Sequence, residues 1–161
     1  MTEMRRQAAG GKIQRGDSIR ITRTFTKEEI QEFGRITRDY NPVHFEERWW
    51  KQKGFSGPIM HGLLVGSMFC EPGGQWACLA TGMSFRFKNP VYPGDTVTLE
   101  MTILDLDEKM HARAKCVLTN QHGETVLTGE LSGYFPDASG RELLNTMLQE
   151  GDPTNRLREE S

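Results

Sequence analysis

The residues best suited to chemistry lie in one hexapeptide, Asp39-Tyr40-Asn41-Pro42-Val43-His44. A carboxylate and an imidazole stand five positions apart with a proline between them. On a regular helix they would point to different faces, because helical neighbours are three or four positions apart. Pro42 forbids that helix: it has no N–H, and it pushes Asn41 toward an extended conformation. On the resulting bend Asp39 and His44 can converge on one point, and the Asn41 amide can pin the turn. Asp39 falls at the C-terminal end of the helix before it, where the dipole disfavours the carboxylate form and favours acid/base use. The plainer alternative is an Asx turn with a surface histidine.

A second segment, Gly57-Pro58-Ile59-Met60-His61-Gly62, leads into apolar residues. The start of a buried helix offers free N–H groups and a positive dipole end. Gly62 has no side chain to block close approach, so a carbonyl oxygen gaining negative charge can be held there. Gly62 equally suits tight helix packing. His61 is a candidate base or ligand, with capping or packing as the simpler role. Asp39, His44 and His61 lack a recognised metal-ligand spacing, and no metal is expected.

These segments need elements to position them. Ser18 to Phe25 alternates as a strand, with Ile19, Ile21 and Phe25 on one side. Thr26 to Glu29 reads as a capping box opening a helix that stops near Asp39. Phe45 to Lys53 reads as a second short helix closed by Gly54. Gly62 to Phe69 is apolar on nearly all sides, the pattern of a buried helix, ended at Pro72-Gly73-Gly74. Four runs of period two follow, on Met83 to Phe87, Val97 to Ile103, Ala112 to Leu118 and Leu127 to Phe135. Their short breaks predict antiparallel neighbours in a meander. The fold class is therefore α+β, an antiparallel sheet wrapped around a central buried helix. Ser139 to Glu142 repeats the capping-box pattern before a short C-terminal helix. The expected division is a flexible tail over 1–16, a core over 17–136, and a C-terminal helix and tail over 137–161.

The chain has 161 residues and a net charge of −2. That length favours one domain, and that charge argues against nucleic acid or an anionic membrane as main partner. No apolar run approaches the length of a membrane span, and the N-terminus lacks a signal-peptide core. Cys70, Cys78 and Cys116 form neither a CxxC pair nor an even framework, which fits a reducing, cytoplasmic setting.

Asp39-x-Asn41-Pro42-x-His44, Pro58-Ile59-x-His61-Gly62 and Pro90-Val91-Tyr92-Pro93-Gly94-Asp95 together resemble the MaoC-like hydratases, the (R)-specific enoyl-CoA hydratases, from Ile19 to Phe135. The resemblance implies a hot-dog fold, a homodimer, no cofactor, and addition of water to a trans-2-enoyl thioester or its removal from an (R)-3-hydroxyacyl thioester. The acyl group would ride on CoA or an acyl carrier protein. It makes Asp39 and His44 the catalytic acid/base pair and the Gly62 N–H the donor to the thioester carbonyl. Asn41, His61, Cys70 and Trp50 become candidate substrate contacts, and Lys51, Lys53, Arg86 and Lys88 candidates for carrier phosphates. The sequence departs from the family pattern at three places. Thr37-Arg38 replaces a small pair before the aspartate, Trp50 stands where a small residue is usual, and Cys70 where some members carry a hydroxyl. A hot-dog thioesterase and a non-catalytic acyl-thioester-binding module are the competing readings.

Overall fold

The structure is a computed structural model that describes residues 13–151. The expected tails over residues 1–12 and 152–161 lie outside the described residues. Five strands form one antiparallel sheet: β1 (Ser18–Thr24), β2 (Leu79–Phe87), β3 (Thr96–Leu106), β4 (His111–Thr119) and β5 (Thr125–Tyr134). Their order is β1-β3-β4-β5-β2. The period-two residues face inward, so Val97, Leu99, Met101 and Ile103 of β3 and Ala112, Ala114, Cys116 and Leu118 of β4 are all buried. Burying such a side chain contributes about 1.5–3 kcal/mol for the larger ones, enough to fix which face of each strand turns in.

Only β3, β4 and β5 form the expected meander; β2 pairs with β5 rather than with β3. The Pro90–Asp95 break is therefore a crossing and no hairpin. It must pass three strand spacings, about 14 Å, which residues 88–95 can reach. One flank of β3 is already taken by β1, whose register runs from Ser18 opposite Thr102 to Thr24 opposite Thr96.

The buried rod is longer than expected. It comprises α3 (Gly62–Gly66), a 3-10 turn (Ser67–Phe69) and α4 (Cys70–Trp76). Pro72 does not end it. The tighter turn restarts the helix, so Pro72 falls in the first turn of α4, where an N–H has no intrahelical acceptor to lose. The rod ends instead at Ala77, which takes a left-handed conformation (φ 51°). Leu64, Val65, Met68 and Phe69 are buried, but Leu63 is exposed. The rod seats on the sheet through aromatic rings: Phe69 packs on Phe85 at 5.0 Å, and Phe85 stacks on Phe87.

Three further α-helices lie among the described residues: α1 (Lys27–Thr37), α2 (Glu47–Gln52) and α5 (Ala138–Gln149). The Glu29 carboxylate accepts from the Thr26 N–H at 2.6 Å, as the capping box requires. The cap of α5 is Asp137 rather than Ser139, its carboxylate accepting from the Gly140 N–H at 2.8 Å. Residues 13–16 are part of the core structure. Ile13 is buried, and the Gly16 N–H donates to the Ile103 carbonyl at 2.9 Å.

Candidate active site

Helix α1 ends because Arg38 turns left-handed (φ 60°), and this hands the chain into the bend. The bend is a pair of nested turns. The Asn41 N–H donates to Asp39 Oδ1 at 3.1 Å, and the Val43 N–H donates to Asn41 Oδ1 at 3.1 Å. A 3-10 turn over Pro42–His44 follows, with its proline at the start, where a missing N–H does no harm. The turn swings His44 back toward Asp39, and His44 Nε2 lies 3.9 Å from Asp39 Oδ2. The Asx turn and the functional constellation are thus the same object.

The protonation pattern follows from the partners. His44 Nδ1 lies 2.7 Å from the Ile59 carbonyl oxygen. A carbonyl only accepts, so Nδ1 carries the hydrogen and Nε2 keeps its lone pair toward Asp39. His44 is 8% exposed, and its pKa is lowered from the ordinary 6.5. Burial is the largest cause and His61 adds to it, while the Ile59 bond and Asp39 pull the other way. The ring is therefore neutral at pH 7 and able to accept a proton. Asp39 is half exposed, and its Oδ1 is already occupied by the Asn41 N–H, leaving Oδ2 for chemistry.

The second segment delivers His61 and Gly62 to the same place. The Met60 N–H donates to the Val91 carbonyl at 2.7 Å, which ties the segment to the crossing loop. That loop is pinned in turn: the Phe25 N–H donates to the Asp95 carbonyl and the Gly94 N–H to the Phe25 carbonyl. The Asp95 carboxylate holds the Tyr92 N–H, and Gly94 adopts φ 94°. The Pro90–Asp95 motif is thus a clamp joining β1 to the approach to α3. His61 is 1% exposed, its Nε2–H donates to the Asp39 carbonyl at 2.9 Å, and its ring stacks on His44 at 3.8 Å.

Asp39, His44, His61 and Gly62 share the wall of a cavity of about 580 Å³. The remaining wall is largely apolar and includes Phe33, Val43, Phe55, Leu63 and Phe87, with Lys88 beside them. Gly62 opens α3, so its N–H has no carbonyl one turn earlier to bond. A Cβ there would stand 2.7 Å from the Phe87 ring, so glycine lets the start of α3 pack closely on Phe87.

Three expected substrate contacts do not line this cavity. Asn41 spends its side chain on building the turn. Trp50 lines a separate hollow of about 220 Å³ on the other side of His44. Cys70, two turns beyond Gly62, is exposed away from the cavity. Cys78 and Cys116 are no nucleophiles either, since burial pushes their thiols to about 11 and about 12. Lys51 pairs with Glu47, which leaves Lys88 as the expected cation that reaches the cavity. Sequence reasoning missed the Ile59 carbonyl, which fixes the His44 tautomer, and a backbone acceptor has no side-chain signal. One donor atom each from Asp39, His44 and His61 lies within 4.8 Å of the others, a spacing that could hold a metal ion. His44 Nδ1 and His61 Nε2 are committed to carbonyls, which leaves His44 Nε2 and His61 Nδ1 as the open ring nitrogens.

Residues 8–126 match the family described as MaoC like domain. The chain belongs to the MaoC-like family. Among curated relatives, this MaoC-like chain is 31% identical over 126 residues to the (R)-specific enoyl-CoA hydratase of Aeromonas caviae, covering 75% of this chain and 94% of that one. It is 30% identical over 133 residues to the mitochondrial 3-hydroxyacyl-[acyl-carrier-protein] dehydratase of Arabidopsis thaliana, covering 76% and 77%. The solved (R)-hydratase from A. caviae involved in PHA biosynthesis superposes with a TM-score of 0.73 at 30% identity, covering 78% of this chain and 99% of that one. The hot-dog architecture of the MaoC-like chain is thereby established. No helix of the described residues is long and apolar enough to cross a membrane.

Proposed function

We propose that the protein is a hydro-lyase acting on acyl thioesters, hydrating a trans-2-enoyl thioester or dehydrating an (R)-3-hydroxyacyl thioester. The observation that carries this is the pair of free acceptors, His44 Nε2 and Asp39 Oδ2, 3.9 Å apart in the wall that also holds the Gly62 N–H. A water oxygen about 2.8 Å from each would donate one hydrogen to each and turn a lone pair to C3. The Gly62 N–H donates to the thioester carbonyl oxygen and stabilises the negative charge that builds there as C3 is attacked. The hydroxyl bonds to C3, the displaced π electrons pass into the enolate, and the water's proton is returned to C2 from the same face. Dehydration reverses these steps. Both groups stand on one side of the cavity, and this supports syn addition. The names of the relatives support the same chemistry on CoA and carrier-protein thioesters.

Two supporting points concern the competing readings. The family departures at Arg38, Trp50 and Cys70 do not line the cavity that holds Asp39 and His44, which favours turnover over a binding-only module. Hydrolysis would require the reacting water at C1, beside the Gly62 N–H rather than at C3. Lys88 is the cation placed to meet a carrier phosphate at the cavity. We also read the protein as a homodimer joined along β2, one of the two edge strands of the sheet among the described residues.

The test is hydration of crotonyl-CoA, followed through loss of the conjugated-thioester absorbance. Asp39→Asn and His44→Ala should each lower kcat/KM by about 10²–10⁴-fold. Release of free thiol without loss of the double bond would instead establish a thioesterase.

A further inference from the structure

His61 stands between the two reacting residues, touching both without presenting a free donor to the cavity. Its Nε2–H donates to the backbone carbonyl of Asp39, and its ring lies 25° from the plane of His44 at 3.8 Å. Phe33 at 5.2 Å and Phe45 at 5.9 Å close on its other sides. The opposite nitrogen, Nδ1, is buried and has no hydrogen-bond partner. A buried acceptor left unmet costs about 1–3 kcal/mol, and a phenylalanine would fill the same space without it. What a histidine adds here is the Nε2–H, and its use is to hold Asp39.

We propose that His61 is a positioning residue: its ring is the plate that fixes the plane of His44, and its Nε2–H is the latch that fixes the backbone of Asp39. The inference rests on the hydro-lyase reading but concerns a residue that does not itself touch the reacting atoms. The two functions belong to different parts of one side chain and can be separated. His61→Gln keeps an amide donor for the Asp39 carbonyl and loses the plate. His61→Phe keeps the plate and loses the donor. His61→Ala loses both.

The experiment combines steady-state kinetics on crotonyl-CoA with nitrogen-15 detection of the His44 ring in each variant, after melting curves confirm that it folds. His61→Ala should lower kcat about 100-fold, the scale of an ångström-sized misplacement, with KM changed less than about threefold. Glutamine and phenylalanine should each recover part of the loss. Parent and His61→Ala should both show the Nδ1–H tautomer that the Ile59 carbonyl fixes, but the His44 ring signals should be sharp in the parent and broadened by ring motion in His61→Ala. A rise in KM at constant kcat would make His61 a substrate contact and overturn the proposal. Rates within twofold of the parent in all three variants, or His44 ring signals in His61→Ala as sharp as in the parent, would overturn it as well. If the parent turns over no enoyl thioester, the hydro-lyase reading fails on its own, and the His44 spectra still decide the positioning role.

Discussion

His44 is asked to be neutral in water-filled chemistry, and its surroundings arrange this. Burial holds its pKa below 6.5, with His61 helping. The acid limb of kcat/KM should therefore have its midpoint below pH 6.5, and a limb at or above that value would contradict the buried, neutral base. The same shift acts on stability. The unfolded chain binds this proton more readily, so the contribution is full above 6.5 and is lost as the pH falls toward the folded value. Arg38 has a different burden, a left-handed backbone on a side chain that disfavours it by about 1 kcal/mol. Arg38→Gly should raise stability by about 0.5–1 kcal/mol and the melting temperature by a few degrees, read by calorimetry, with activity retained. The small residue usual in the family at this place thus has a backbone reason. The convergence of Asp39 and His44 was legible because Pro42 leaves few paths for the chain. The roles of Asn41, Trp50 and Cys70 were not, because spacing says how far apart residues lie and not which side of a wall they face. Asn41 had a turn to build, and Trp50 looks into the other hollow.

The rod and the crossing loop are the elements that make the site, and they differ in how visible they are. Apolar composition marked the rod, yet its length was hidden. A proline ends a helix when it must replace an interior N–H, and the 3-10 turn at Ser67–Phe69 removes that requirement. The crossing loop was hidden for a second reason: a gap short enough for a turn does not say which strands it joins. Its path across the sheet brings Lys88, Asn89, Pro90 and Val91 into the cavity wall, so the misread connection is part of the site. The rod's seat can be tested at Gly66, where a Cβ would stand 2.8 Å from the Phe85 ring. Alanine gains about 1 kcal/mol of helix propensity. Overpacking costs about 1–3 kcal/mol, and Phe85 is confined by the fully buried Phe69. Gly66→Ala should thus lower stability by about 1 kcal/mol in denaturant melts; an increase would mean that Phe85 yields freely.

At the scale of the molecule, the two edges of the sheet are unlike. The edge strand β1 shows Arg20, Thr22 and Thr24 to solvent, paired with Glu100, Thr98 and Thr96 on β3. The edge strand β2 shows Leu79 (72% exposed) and Phe87 (56%), with Met83 between them. An edge of that kind invites pairing, and no proline or lysine lies within β2 to prevent it. Sedimentation at micromolar concentration should give twice the chain mass, and Met83→Asp should shift the population toward the monomer. A monomeric parent would contradict the dimer. The order of the elements along the chain has its own consequence. Met68 and Phe69 are synthesised before any of the four strands that follow them, and β1 must wait for β3, its one partner among the described residues, at a separation of about eighty residues. During synthesis, the most apolar stretch and the cavity-wall residues from Phe33 to Val65 leave the ribosome before the four strands that will cover them exist. Folding is therefore governed by the last-made strands, and the growing chain exposes a sticky helix for as long as those strands are missing.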